Sequence, residues 1–155
     1  MTDAQVPTLV LPDAVTITKN TGKLTSKGLE LESHALLNGF QLDYNLGYTD
    51  ANFKDLKLAQ YGSEVDLAGK KQIFTPDVTS MFAAQYGTTI SKKDQLKITF
   101  RGEWKYIGKQ YFDLGNNLSQ NSYNLLNSSV GISAPKWSLK FWARNLGNVN
   151  YIGYG

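Results

Sequence analysis

A chain of 155 residues is long enough for one domain with its own core, and 19% charged residues is too ordinary a share for a disordered tail. The 16 Lys and Arg against 13 Asp and Glu leave a net charge of +3, scattered along the chain rather than gathered into the basic patch of a nucleic-acid-binding surface. With no cysteine there is no disulfide scaffold and no thiolate metal site, and no run of about 18 apolar residues encodes a transmembrane helix.

The opening MTDAQVPTLVLPDAV lacks the basic region and the continuous apolar stretch of a signal peptide. From there period-two alternation dominates and helical periodicity is hard to find. Residues 14–20, AVTITKN, read as a short strand before an Asn-Thr-Gly turn. In KLTSKGLELESHALL, Leu29 and Leu31 share one face, opposite Glu30, Glu32 and His34. Leu37-Asn38-Gly39 reverses the chain into GFQLDYNLGYT, residues 39–49. There Phe40, Leu42, Tyr44, Leu46 and Tyr48 oppose Gln41, Asp43, Asn45, Gly47 and Thr49. Residues 50–77 lose the alternation and read as a long polar loop.

The alternation returns in VTSMFAAQYGTTI, with Phe82, Ala84 and Tyr86 on one face, followed by the polar turn SKKDQ. LKITFRGEWKY sets Leu96, Ile98, Phe100, Gly102, Trp104 and Tyr106 against Lys97, Thr99, Arg101, Glu103 and Lys105. An Asn-rich loop spans roughly 109–121, SYNLLNSSVGISA is a weaker strand, and PKW turns into WSLKFWARN. That last strand places Trp137, Leu139, Phe141 and Ala143 on one face.

The pattern implies an all-β, antiparallel up-and-down meander of about 7–8 long strands. Short connections at 36–39, 90–95 and 134–137 alternate with long ones at 50–77 and 109–121. Short turns at one end and long loops at the other are the habit of an outer-membrane barrel. Strands of about 11–14 residues exceed the usual 5 or 6 of soluble sheets and suit a tilted bilayer crossing. The polar faces mix Gln, Asp, Asn, Thr, Ser and Arg, as a wet lumen would, and Tyr48, Tyr86, Trp104, Tyr106, Tyr123 and Trp137 lean toward strand ends. A segment of a transmembrane β-barrel is therefore expected, as a curved open sheet or a small closed barrel, with a soluble β-sheet binding module as the rival. The barrel reading requires Phe40, Leu42, Tyr44, Leu96, Ile98, Phe100 and Phe141 to form one outward apolar band; the rival requires them to pack into a closed core.

Several phrases resemble the TonB-dependent outer-membrane receptor family. NTGKLTSKGLELE is similar to that family's Asn-x-Gly strand ending in alternating Glu, and LDYNLGYTDANFKD to its next strand and loop start. DLAGKKQIFTPDVTSMFAAQY resembles the return segment, with a proline before the descending strand. FWARNLGNVNY resembles the near-terminal Asn-Leu-Phe-Asp-x-x-Tyr signature through Asn145, Leu146, Asn148 and Tyr151, with Gly147 where the family usually has Phe. The likeness covers most of residues 18–151. It implies a barrel of about 22 strands filled by an N-terminal plug, which imports a scarce nutrient such as a ferric siderophore when TonB pulls on the plug. On that basis residues 1–155 are expected to be a single partial barrel region, C-terminal in the receptor, with the plug and final strand missing and no transport competence alone. The implied location is the bacterial outer membrane. The implied partners are membrane lipid and, for the full-length receptor only, the extracellular nutrient and the TonB system.

No nucleophile–base set stands out, so no catalytic residue is expected and the protein is read as no enzyme. His34 is the only histidine, which rules out a multi-histidine metal site, and no cofactor is implied. Glu30 and Glu32 read as part of a polar network rather than an acid–base pair. GSEVDLAGKK has the wrong spacing for a phosphate loop. Arg101, Lys105 and Arg144 are the candidate ligand-binding residues, able to attract an anionic chelate, against a plainer role as solvated lumen charges. Loops 50–77 and 109–121 are the other expected ligand-contacting surfaces.

Overall fold

Strict alternation turns into strands whose two faces differ in chemistry. The computed structural model describes residues 5–10, 15–20, 22–60 and 63–153. In chain order these form β1 (Gln5–Val10), β2 (Val15–Asn20), β3 (Lys23–Leu37), β4 (Phe40–Asp55), β5 (Lys57–Gln60), β6 (Ser63–Asp66), β7 (Val78–Ser91), β8 (Leu96–Ile107), β9 (Gln110–Tyr111), β10 (Ser119–Gln120), β11 (Tyr123–Ala134) and β12 (Trp137–Ala143). No helix occurs among the described residues.

Six of the strands, 7 to 16 residues long, make one antiparallel sheet in the order β12-β11-β8-β7-β4-β3. The others pair off as β1-β2, β5-β6 and β9-β10. Six long strands replace the 7–8 expected, because the remaining segments are short hairpins. The two-residue reversal at Asn38-Gly39 has positive φ at both positions, 45° and 87°, the geometry whose twist matches a tight hairpin and which Asn-Gly tolerates best. Of the expected turn after β2, Thr21 lies outside the described residues; Gly22 has a φ of 97°, and a Cβ there would collide with the Asp55 carbonyl.

The chain divides into two units. The sheet unit holds residues 29–48, 78–109 and those from 121 on; the loop unit holds the residues up to 28 with 49–77 and 110–120. Within the sheet unit the register aligns Phe40, Tyr86, Phe100, Val130 and Phe141 opposite one another across five neighbouring strands. Tyr44, Phe82, Trp104 and Leu126 align in the same way. Phe40, Leu42, Tyr44, Leu96, Ile98, Phe100 and Phe141 thus share one face by the alternation of their strands, with a register shift between Thr89 and Ser91 where Leu96 pairs. Among the described residues that face is not buried: Phe100, Leu139 and Phe141 are all exposed, and Ala83 is the one buried apolar residue of this unit. The closed core of the rival soluble module is not formed. Nor is a small closed barrel, since β3 and β12 stand at opposite edges of an open sheet.

Residues 50–77 depart from the expected featureless loop. β4 runs on to Asp55, β5 and β6 form a hairpin, and Phe53, Leu56 and Leu67 are buried together with Leu24, Leu58, Val65 and Leu114 against them. The alternation disappears there because these apolar residues come from separate segments and converge on one another rather than lining one sheet face. The hydrophobic core of the described chain sits in the loop unit, as expected if the sheet is solvated by lipid instead.

Candidate functional site

The polar face of the sheet is laced by hydrogen bonds running across the strands. His34 on β3 meets Asp43 on β4, Nδ1 to Oδ1, at 2.6 Å. Gln41 donates to both oxygens of Asp43 at 3.3 and 3.2 Å, and Gln85 on β7 donates to Gln41 at 3.4 Å. Arg101 on β8 reaches the other Asp43 oxygen at 3.2 Å and lies 3.6 Å from Glu103. Glu103 also takes Lys105 at 3.2 Å and the Asn127 amide of β11 at 3.0 Å. Alternation alone produces this belt: every member occupies a position opposite an apolar residue of its own strand. Charged groups in a chain of partners are satisfied without leaving an ion exposed to an apolar medium.

At the β12 side of this face lies a pocket of about 540 Å³. Its walls include all three residues singled out from the sequence, Arg101, Lys105 and Arg144, together with Lys140, Trp142 and Tyr151. The pocket opens where β12 stops pairing with β11 at Ala143–Ser128. Beyond that point Asn145 and Leu146 bond back to β11 through Asn127 and the Leu126 carbonyl, at 3.0 and 2.8 Å. Tyr151 then stacks on Tyr123, ring centroids 4.8 Å apart and planes 12° from parallel. Lys140 and Trp142 were not among the residues singled out, although the parity of WSLKFWARN already puts them with Ser138 and Arg144. Glu30 and Glu32 take no part in the pocket's lining.

The loop unit holds a second polar cluster. Lys71 bridges Asp50 at 3.0 Å and Asp77 at 2.9 Å, while its backbone N–H and carbonyl are both met by the Asn116 side chain. The hydrogen bond that the Lys71 ammonium donates to Asp77 raises it above the ordinary lysine range; partial burial opposes this and Asp50 adds to it. Burial by itself would push Asp113 up, but the N–H groups of Leu118 and Asn117 outweigh it and hold the carboxyl below its usual range. Phe74 donates its N–H to the Tyr111 carbonyl at 2.9 Å and sets its ring 5.6 Å from Phe112. Segments 49–77 and 110–120 are thereby tied into one body. No group of three or more metal-ligating side chains occurs among the described residues.

A family model described as TonB dependent receptor-like, beta-barrel matches residues 1–146. Among solved structures the chain is similar to the ferric yersiniabactin uptake receptor FyuA of Yersinia pestis, at 24% identity and a TM-score of 0.69, over 86% of this chain and 20% of that one. It is also similar to the siderophore receptor PiuA of Acinetobacter baumannii, at 18% identity and a TM-score of 0.68, over 86% of this chain and 19% of that one. The ferric preacinetobactin receptor BauA of Acinetobacter baumannii matches at 19% identity and a TM-score of 0.66, over 94% and 21%. At these identities the likeness is one of fold, and the chain spans about a fifth of each structure.

Proposed function

From the premise that the chain belongs to the TonB-dependent receptor β-barrel family, a family of non-enzymatic outer-membrane transporters, we propose that it is a stretch of barrel wall from a receptor that takes up a ferric siderophore. The family match over residues 1–146 carries this reading, and the three similar structures, receptors for ferric yersiniabactin, for a siderophore and for ferric preacinetobactin, support the choice of nutrient. In this reading the apolar face meets outer-membrane lipid and the hydrogen-bonded face lines the lumen. Segments 50–77 and 109–121 contact the extracellular ligand, and Arg101, Lys105 and Arg144 hold positive potential along its route. Import is driven by the TonB system acting on the whole receptor.

The test is genetic. Deleting the gene that carries this chain and growing the cells on single ferric chelates under iron limitation is expected to abolish uptake of at least one siderophore, restored by a plasmid copy. Unchanged radio-iron uptake from every siderophore supplied would sink the proposal.

A further inference from the structure

Trp142 sits between Lys140 and Arg144 on the polar face of β12 and its immediate continuation, at alternate positions that space neighbours about 7 Å apart. The four cations of the adjoining pocket are not equivalent. Arg101 is held by Asp43 and Glu103, and Lys105 by Glu103. Among the described residues no carboxylate lies within ion-pair distance of Lys140 or Arg144. Their charge is left uncompensated beside a cavity of about 540 Å³, a volume typical of small-ligand sites. Arg144 carries its guanidinium carbon 4.7 Å from the centroid of the Trp142 ring, which orients the fork, and the indole itself is 65% exposed.

We propose that Lys140, Trp142 and Arg144 form a binding site for an anionic chelate with a flat ring, of the iron(III) catecholate or phenolate class. The site rests on the siderophore-receptor reading and narrows it. The guanidinium fork pairs with the ring-borne anionic oxygens, the ammonium of Lys140 takes a second one, and the indole face stacks on the ring. Tyr151, held flat on Tyr123, adds another aromatic wall. Arg101 and Lys105 act from behind: their carboxylate partners keep them in place and confine the free positive charge to the β12 side. A neutral ferric trihydroxamate carries no net negative charge and no aromatic ring, so the same site discriminates against it.

The experiment titrates the protein, purified from the outer membrane in detergent, with an iron(III) tris(catecholate) and with a neutral ferric trihydroxamate of similar size, reading tryptophan fluorescence. Catecholate binding is expected to be tighter and to weaken as salt is raised. Lys140→Gln and Arg144→Gln are each expected to weaken it by roughly tenfold, while Lys97→Gln, on the same face away from the pocket, leaves it unchanged. Arg144→Lys keeps the charge but loses the fork and restores only part of the affinity. Equal affinity for the two chelates, wild-type affinity in the Gln variants, or catecholate binding insensitive to salt would each overturn the site. The salt titration on the unaltered protein decides the matter even if a variant fails to fold. If the site falls while the deletion strain still loses siderophore uptake, the proposed function stands without it; if uptake is intact as well, both fall.

Discussion

Asn145 donates its side-chain amide to the Val149 carbonyl and accepts the Val149 N–H, both at 2.9 Å, while its backbone lies at φ 51° and its own N–H goes to Asn127. Asn is the non-glycine residue that best tolerates that left-handed conformation, so one side chain both turns the chain and closes the turn. The Asn145→Ala variant loses both side-chain bonds and forces a Cβ-bearing residue without a local partner into positive φ. A loss of about 1–3 kcal/mol is expected, visible as a lower thermal midpoint of the β-sheet circular-dichroism signal in detergent and as altered emission from the Tyr123–Tyr151 stack. An unchanged midpoint would refute this assignment. The sequence shows Asn145, Leu146, Asn148 and Tyr151 as a signature, and the parity of WSLKFWARN shows Trp142 sharing a face with Arg144. That Asn145 clamps residue 149 is invisible in it, because the bond depends on backbone angles that neither composition nor spacing encodes.

At the level of the strand, legibility follows periodicity. β3, β4, β7, β8, β11 and β12 were all readable because one face meets an apolar medium and the other a polar one, which imposes period two on the residues. The 50–77 region reads as a long polar loop for the complementary reason. Phe53, Leu56 and Leu67 are buried with the partly buried Leu58 and Val65 packed against them, and a converging cluster leaves no period behind. The same contrast can be tested on two adjacent residues of β8. Ile98 faces the apolar side between Thr88 and Ile132, whereas Thr99 faces the polar side between Gly87 and Gly131, neighbours with no side chain to crowd a longer residue. Ile98 lies two residues inside the turn end of β8, so Ile98→Arg is expected to cost about 1 kcal/mol, and Thr99→Arg no more than about 0.5 kcal/mol. Urea midpoints of the membrane-extracted protein would check this. Equal losses at the two positions would mean that the sheet does not separate lipid from lumen.

For the molecule as a whole, period two says which face is apolar but not whether the strands close, since closure depends on tilt, shear and strand number together. The sequence therefore left a small barrel and an open sheet as equals, and the open sheet is what forms. Its edges, β3 and β12, carry N–H and C=O groups that neither lipid nor detergent tails can satisfy. Every residue of β12 is exposed, and the apolar face adds the exposed Phe40, Phe82, Phe100, Leu139 and Phe141, a contiguous patch of the kind that marks an interaction or membrane surface. The chain expressed by itself is accordingly expected to aggregate in plain buffer and, once in detergent, to pair copies through their edges. The chain has no native cysteine, so single cysteines report such pairing cleanly. Ser138→Cys on β12 should give cross-linked oligomers on mild oxidation, whereas Ser129→Cys, on the same face of β11 and flanked by β8 and β12, should not. A monodisperse monomer in plain buffer, or equal cross-linking at the two positions, would show that the open edge and the uncovered face are not what governs how this chain behaves outside its membrane.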